Sequence, residues 1–305
     1  YMFCHVNILS SVISGCYWNK LYVFFFHEQV PNHCLLLFTT PHETYLFRLK
    51  RLAAFFGGEY ACSIINKKKQ GDFPMKICGF NKTTLLDYPG RVACTIFLGG
   101  CNFRCPFCQN GALVVEPDTQ PEYSQEEILA FLKKRKGILD GVCISGGEPT
   151  LALELPEFLG RIKTLGYDVK LDTNGSRPSV VKNLAADGLI DKVAMDIKAC
   201  PSNYHVLTGV HADLDGIRET AGWLLDGHLD YEFRTTVVRE LHSEKDFQKI
   251  SRWLSGAKAY YLQAYRDSDG VLMPGFSACS EEEMKNYRDI LSQTIPVVEI
   301  RGMEL

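Results

Sequence analysis

Residues 91–108 read RVACTIFLGGCNFRCPFC, and this stretch decides the fold. Its first eight residues form an apolar, β-branched run bounded by glycine, the pattern of a buried strand. Gly99 and Gly100 then let the backbone fold tightly. Three cysteines follow as Cys101-x-x-x-Cys105-x-x-Cys108. Thiolates are the preferred protein ligands of iron–sulfur clusters. Three of them hold three irons of a four-iron cubane and leave the fourth iron open for chemistry. Zinc is the alternative, but three ligands without an adjacent histidine leave a structural zinc site incomplete. Ligands at the carboxyl end of a buried strand belong to parallel α/β folds.

Toward the C-terminus the strand is repeated. Residues 141–145 (GVCIS), 167–171, 190–197, 231–238 (YEFRTTVV) and 257–262 read as further strands, and 296–300 as a last strand-like run. Between them, residues 124–134, 155–165, 179–186, 213–225, 245–254 and 281–291 read as helices. Ser124 is a natural N-cap, Pro156 suits a first helical turn, and Gly166 suits a helix end. Strands alternating with helices predict parallel β/α units. Six units are fewer than the eight of a closed barrel. The expected fold is therefore α/β, a partial (β/α)6 TIM-like barrel, with no linker dividing residues 75–305.

Each unusual residue group falls at a strand end. Ser145-Gly146-Gly147-Glu148-Pro149 follows the second strand, and Asp172-Thr173-Asn174-Gly175 the third. Met195-Asp196-Ile197-Lys198 closes the fourth, Arg234-Thr235-Thr236 lies on the fifth, and Gln263-Ala264-Tyr265-Arg266 follows the sixth. Each group also has a plainer reading. Gly146 and Gly147 suit an ordinary turn, and DTNG suits a turn and N-cap. Asp196 and Lys198 share one strand face and can simply pair. Arg234 can pair with Glu232 on its own face. Phe107 can be a core residue, although its place beside Cys108 puts it within reach of the ligands. Convergence on one rim favours the functional reading over the separate ones. The histidines show no metal spacing.

Residues 1–74 differ in kind. Fifteen of the 35 aromatic residues lie there, and the segment is basic whereas the remainder is acidic. No helical or strand period persists, so an irregular N-terminal extension is expected. Residues 1–19 lack charged side chains but are too polar for a transmembrane helix. They also lack the basic start of a signal peptide. Met75 is expected to be the natural translation start, with residues 1–74 read through from upstream. A native peptide from residues 1–66, detected by mass spectrometry, would exclude this. A net charge of −3 over the chain gives no reason to expect nucleic acid as a partner. Twelve cysteines in a chain with regular strands and helices suggest metal binding in a reducing compartment, not a disulfide scaffold.

The pattern CNFRCPFC resembles the radical S-adenosylmethionine (SAM) superfamily, and the resemblance runs from about Met75 to the C-terminus. GFNKTTLLDYPGRVACTIFLGGCNFRCPFCQN resembles the activating proteins of anaerobic ribonucleoside-triphosphate reductase. SGGEPT, LDTNGS, MDIK and FRTTVV are similar to motifs of pyruvate formate-lyase activating enzyme. The resemblance implies that Cys101, Cys105 and Cys108 hold one [4Fe–4S] cluster whose open iron binds SAM. It implies that Gly146, Gly147 and Glu148 lie near the methionine end of SAM. The backbone around Phe107 and Gln109 would meet adenine. Asp172, Thr173 and Asn174 would hold the methionine or ribose part, with Asp196, Lys198, Arg234 and Thr236 also close to SAM. Those activators carry a histidine after the sixth strand, where this chain has Arg266, so Arg266 has no assigned role.

The implied reaction is reductive cleavage of SAM to a 5′-deoxyadenosyl radical that removes hydrogen from a glycine of a partner enzyme. The implied setting is an anaerobic cytoplasm with a flavodoxin or ferredoxin electron donor and no membrane. The implied partner is anaerobic ribonucleotide reductase. The alternatives are another glycyl radical enzyme, such as pyruvate formate-lyase, or a small-molecule substrate of the deazaguanine type. A metal-binding interaction module without catalysis is the non-enzyme alternative.

Overall fold

A computed structural model describes residues 74–303 in full and, before them, the backbone of four strands. These are β1 (Lys20–Phe25), β2 (His33–Thr39), β3 (Thr44–Lys50) and β4 (Ala61–Ile65). They pair antiparallel in chain order, with Leu36 opposite Val23 and Phe47. The sequence offered no element here, because runs such as KLYVFF and HCLLLFT are apolar without a period of two. Residues 1–19, weighed above as a membrane anchor, lie outside the described residues. Tyr1–Gly71 and Asp72–Leu305 form separate compact units.

The second unit is built on one eight-stranded sheet. Its strands are β5 (Ile77–Thr84), β6 (Ala93–Leu98), β7 (Gly141–Gly146), β8 (Asp168–Thr173), β9 (Lys192–Asp196), β10 (Asp230–Val237), β11 (Tyr260–Ala264) and β12 (Val298–Arg301). They lie in chain order. β6 to β12 are all parallel, and β5 runs antiparallel along β6. The sheet is open, since β5 and β12 are edges that do not pair with each other. This is the partial barrel of six β/α units that the sequence implied, with β12 added at one edge and β5 at the other. β5 went unread because ICGFNKTT carries glycine, asparagine and lysine and alternates weakly; it suits an edge.

Helices follow the strands: α1 (Gly111–Val115), α2 (Gln125–Lys134), α3 (Leu155–Thr164), α4 (Pro178–Ala186), α5 (Tyr204–Thr208), α6 (Leu214–Leu225), α7 (Glu244–Trp253) and α8 (Glu281–Ser292). Local chemistry sets their bounds. Ser124 and Glu127 form a capping box on α2, as do Ser280 and Glu283 on α8. α3 buries Leu155, Phe158, Leu159 and Ile162, a stripe spaced for one helical face. Each such side chain contributes about 1.5–3 kcal/mol of transfer free energy. Gly166 then ends the helix region at φ +85°. Helices cover the outer face of the sheet, so alternate strand residues on the inner face are left for polar groups. Among the described residues, no helix is long and apolar enough to cross a membrane.

Candidate functional site

The cysteine loop leaves the end of β6 and is held mainly by backbone. Gly100 N–H donates to Leu113 O at 2.8 Å, and Arg104 N–H to Thr208 O at 2.8 Å. Arg104 caps the turn, its guanidinium donating to Cys101 O at 2.7 Å and Phe103 O at 2.8 Å. A strap from the segment after β11 lies along the loop. Leu272 N–H donates to Cys108 O and Met273 N–H to Pro106 O, both at 2.9 Å. Gln109 Nε2 donates to Arg266 O at 3.0 Å. Arg266 thus meets the site through its carbonyl, while its guanidinium donates to Gly302 O at 3.1 Å.

Gly146 and Gly147 line the same cavity as the cysteines. A Cβ on Gly147 would fall 1.9 Å from Gly100 O, and one on Gly146 2.3 Å from Leu98 O. The glycines therefore let the end of β7 approach the cysteine loop itself, fixed by Glu148 N–H donating to Gly100 O at 2.9 Å. Glu148 does not line the cavity. Its buried carboxylate accepts from Asn174 N–H at 2.7 Å, Thr173 Oγ1 at 2.8 Å and the hydroxyl of Thr150. Burial pushes its carboxyl up, against these hydrogen bonds. Its place is behind the DTNG turn, which it shapes, and the structure does not bring it to the ligand side.

On the inner face of β8 to β10 five charges alternate in sign. Lys170 Nζ lies 2.5 Å from Asp172 Oδ1, and Arg234 Nη2 3.1 Å from Asp172 Oδ2. Arg234 Nε lies 2.7 Å from Asp196 Oδ1, and Lys198 Nζ 3.0 Å from Asp196 Oδ2. Ser145 Oγ also donates to Asp172 Oδ2 at 2.9 Å. Arg234 thus pairs across strands and not with Glu232. Asp196 Cα is its partner in register on β9. Burial alone would raise the Asp172 and Asp196 carboxyls, but Arg234 and the two lysines hold both below their usual range. The ladder is ionised, with one more cation than anions.

Cys101, Cys105, Cys108, Phe107, Gln109, Gly146, Gly147, Asp172, Thr173, Asn174, Asp196, Lys198, Arg234 and Thr236 line one cavity. Ser145, which leads the glycine group, lines it too, as do Phe103, Asn110 and Val114, to which the sequence reading gave no role. Asn110 had a signal, since it follows the cysteines; its Nδ2 donates to Gly146 O at 3.0 Å. Phe107 is buried and meets the His242 ring edge-on at 6.2 Å.

The donor set fits a multi-iron cluster with an organic ligand. Among the described residues, no three His, Cys, Asp or Glu side chains converge on a single ion's position. The three thiols instead share a cavity wall, as one thiolate per iron requires. Burial pushes the Cys101 thiol up to about 12, helped by the Glu148 charge, and Cys105 up to about 11. Ligation must therefore displace protons. Lys198 opposes the rise at both and favours the thiolate. Opposite the thiols, the cationic ladder and the Thr173 and Asn174 turn offer partners for a carboxylate and for hydroxyls.

The family description "Radical SAM superfamily" matches residues 95–254. A protein of Methanocaldococcus jannaschii, provisionally named a glycyl-radical enzyme activating enzyme, is 31% identical over 201 residues, covering 63% of this chain and 81% of that protein. A second one from the same organism, with the same provisional name, is 30% identical over 53% of this chain and 62% of its own length. The crystal structure of Streptococcus suis SuiB bound to precursor peptide SuiA aligns with TM-score 0.54 at 14% identity. It covers 67% of this chain, which spans less than half (47%) of SuiB, and the likeness is one of fold.

Proposed function

The chain belongs to the radical SAM superfamily, whose cofactors are a [4Fe–4S] cluster and SAM, and from that premise we propose that it activates a glycyl radical enzyme. The observation that carries the reading is the match to the M. jannaschii activating protein over four-fifths of its length. We further propose that the partner is anaerobic ribonucleoside-triphosphate reductase, on the strength of the motif GFNKTTLLDYPGRVACTIFLGGCNFRCPFCQN. The electron donor on this reading is a flavodoxin or ferredoxin. The catalytic unit is residues 75–305.

When bound, the cluster and SAM supply a carbon-centred oxidant strong enough to take a hydrogen atom from an unactivated C–H bond. Cys101, Cys105 and Cys108 hold the cluster in this assignment. Arg234 and Lys198, already ionised and held by carboxylates, give fixed positive charge that needs no reorganisation when an anionic group arrives. The backbone at Phe107 and Gln109 meets the adenine. The Thr173 and Asn174 turn, shaped by Glu148, orients the polar end of SAM. Asp172, Asp196 and Thr236 complete the wall, with Gly146 and Gly147 at the methionine end. Phe103, Phe107 and Val114 keep water from the thiols. The open sheet supports a macromolecular substrate, because a barrel without a closing strand leaves a side through which a peptide loop can reach the rim.

The test is anaerobic reconstitution, reduction with dithionite, and incubation with SAM and an anaerobic ribonucleotide reductase. A glycyl-radical signal by electron paramagnetic resonance is expected on the reductase. If 5′-deoxyadenosine forms but neither this reductase nor pyruvate formate-lyase gains a signal, the activating role is wrong and a small-molecule substrate takes its place.

A further inference from the structure

Below the ladder, on the same inner face, a second group of charges reaches Arg234 from the far edge of the sheet. Glu232 stands two residues before Arg234 on β10, so the two side chains share a face. Its side chain is only 1% exposed, and its carboxylate has few partners. Arg301 Nη1, from β12, donates to Glu232 Oε1 at 3.1 Å. Glu232 Oε2 has no hydrogen-bond partner among the described residues; Lys192 Nζ stands 3.7 Å away, and also pairs with Asp230 at 3.2 Å. Arg301 is itself held over the Tyr261 ring, its Cζ 3.3 Å from the centroid. Among the described residues, Arg301 thus supplies the one hydrogen bond of this buried carboxylate.

An unsatisfied buried anion draws the nearest mobile cation. Without Arg301, the cations left beside Glu232 are Lys192, already shared with Asp230, and the Arg234 guanidinium two residues along the same strand face. We propose that Arg301 is a positioning residue: by satisfying Glu232 it leaves Arg234 committed to Asp172 and Asp196, and so fixes the charge that meets SAM. Acting through two strands, it makes the last strand of the chain part of the cofactor site without touching the cofactor. The inference rests on the assignment of Arg234 to the SAM side of the cavity.

Arg301→Met, Glu232→Gln/Arg301→Met and Arg234→Gln are compared with the parent as anaerobically reconstituted holoenzymes, by calorimetric titration with SAM and by thermal melting. Arg301→Met should weaken SAM binding by about tenfold, within the range of couplings measured for contacting charged residues. The double variant, in which the competing charge is gone, should recover to within about twofold of the parent although Arg301 is still missing. A purely structural role for β12 predicts no such recovery. Equal loss in the single and double variants overturns the proposal. So does an unchanged affinity in Arg301→Met while Arg234→Gln binds weakly, and in that case the SAM-site assignment stands. An unchanged affinity in Arg234→Gln removes that assignment and the inference together.

Discussion

The cysteine loop and the inner face of β8 to β10 lie on opposite sides of one cavity but are held by different forces. The loop is fixed by backbone hydrogen bonds from α1, α5 and the strap after β11, with glycines where backbones nearly touch. The opposite face is fixed by side-chain ion pairs alternating in sign across three strands. Backbone anchoring sets where the thiols stand and leaves their chemistry free. Ion pairing sets both the place and the charge of what they hold, so a single neutralising change there does two kinds of damage.

The largest effect should come from the loop's cysteines, the proposed cluster ligands. Cys105→Ala is expected to lose the bound iron and to abolish SAM cleavage, measured as iron content and 5′-deoxyadenosine, while the fold survives because the loop's anchors are backbone groups. On the opposite face, Asp172→Asn leaves Lys170 and Arg234 facing each other without their shared anion. A loss of about 3 kcal/mol in chemical unfolding is expected, with SAM affinity falling as well. If Asp172→Asn weakens SAM binding and leaves stability intact, the ladder is not what holds this face. Gly147→Ala forces a Cβ against Gly100 O. It should cost about 1–3 kcal/mol and lower the iron bound, which would show that a backbone approach on the glycine side positions the thiols.

His242 sharpens the contrast because it touches both sides. Its ring meets Phe107 of the loop, Nδ1 accepts from Val238 N–H at 3.1 Å, and Nε2 lies 3.1 Å from Lys198 O. Burial holds it below the usual histidine range, against the hydrogen bonds to Lys198 and Val238. The folded chain keeps it neutral, while the unfolded chain takes up the proton first. Its contribution is thus fully present above about pH 6.5 and is lost as pH falls toward the lowered value. Between pH 7.5 and 5.5 the parent's melting temperature should fall more than that of His242→Gln. Equal slopes would sink the idea. This is the smallest of the four effects.

The loop was legible because its chemistry is written in residue type and spacing. The ladder was half legible. Strand alternation puts Arg234 and Glu232 on one face, but not which neighbour wins. In register, Asp196 is directly across from Arg234, one interstrand spacing away, whereas Glu232 is two residues along. Lys170 was missed because a lysine in a strand is read as a surface residue, whereas pairing with the Asp172 carboxylate offsets the cost of its burial. Glu148 is the opposite case. Its motif points to a ligand, yet its side chain faces the turn behind. The strap over 266–273 has no period, and its grip on the loop is made by backbone amides that carry no residue signature.

That strap also imposes an order of events. The thiols come early in the second unit, and the amides of Leu272 and Met273 that close over Cys108 and Pro106 come near its end. The contact spans most of the parallel sheet, so its loop-closure entropy is recovered only once that sheet exists. A nascent chain that has not yet released Gly270 has the three cysteines but not the grip on them. Synthesis itself thus opens an interval in which the thiols are made and still uncovered, and a slow stretch of translation after β11 would lengthen it.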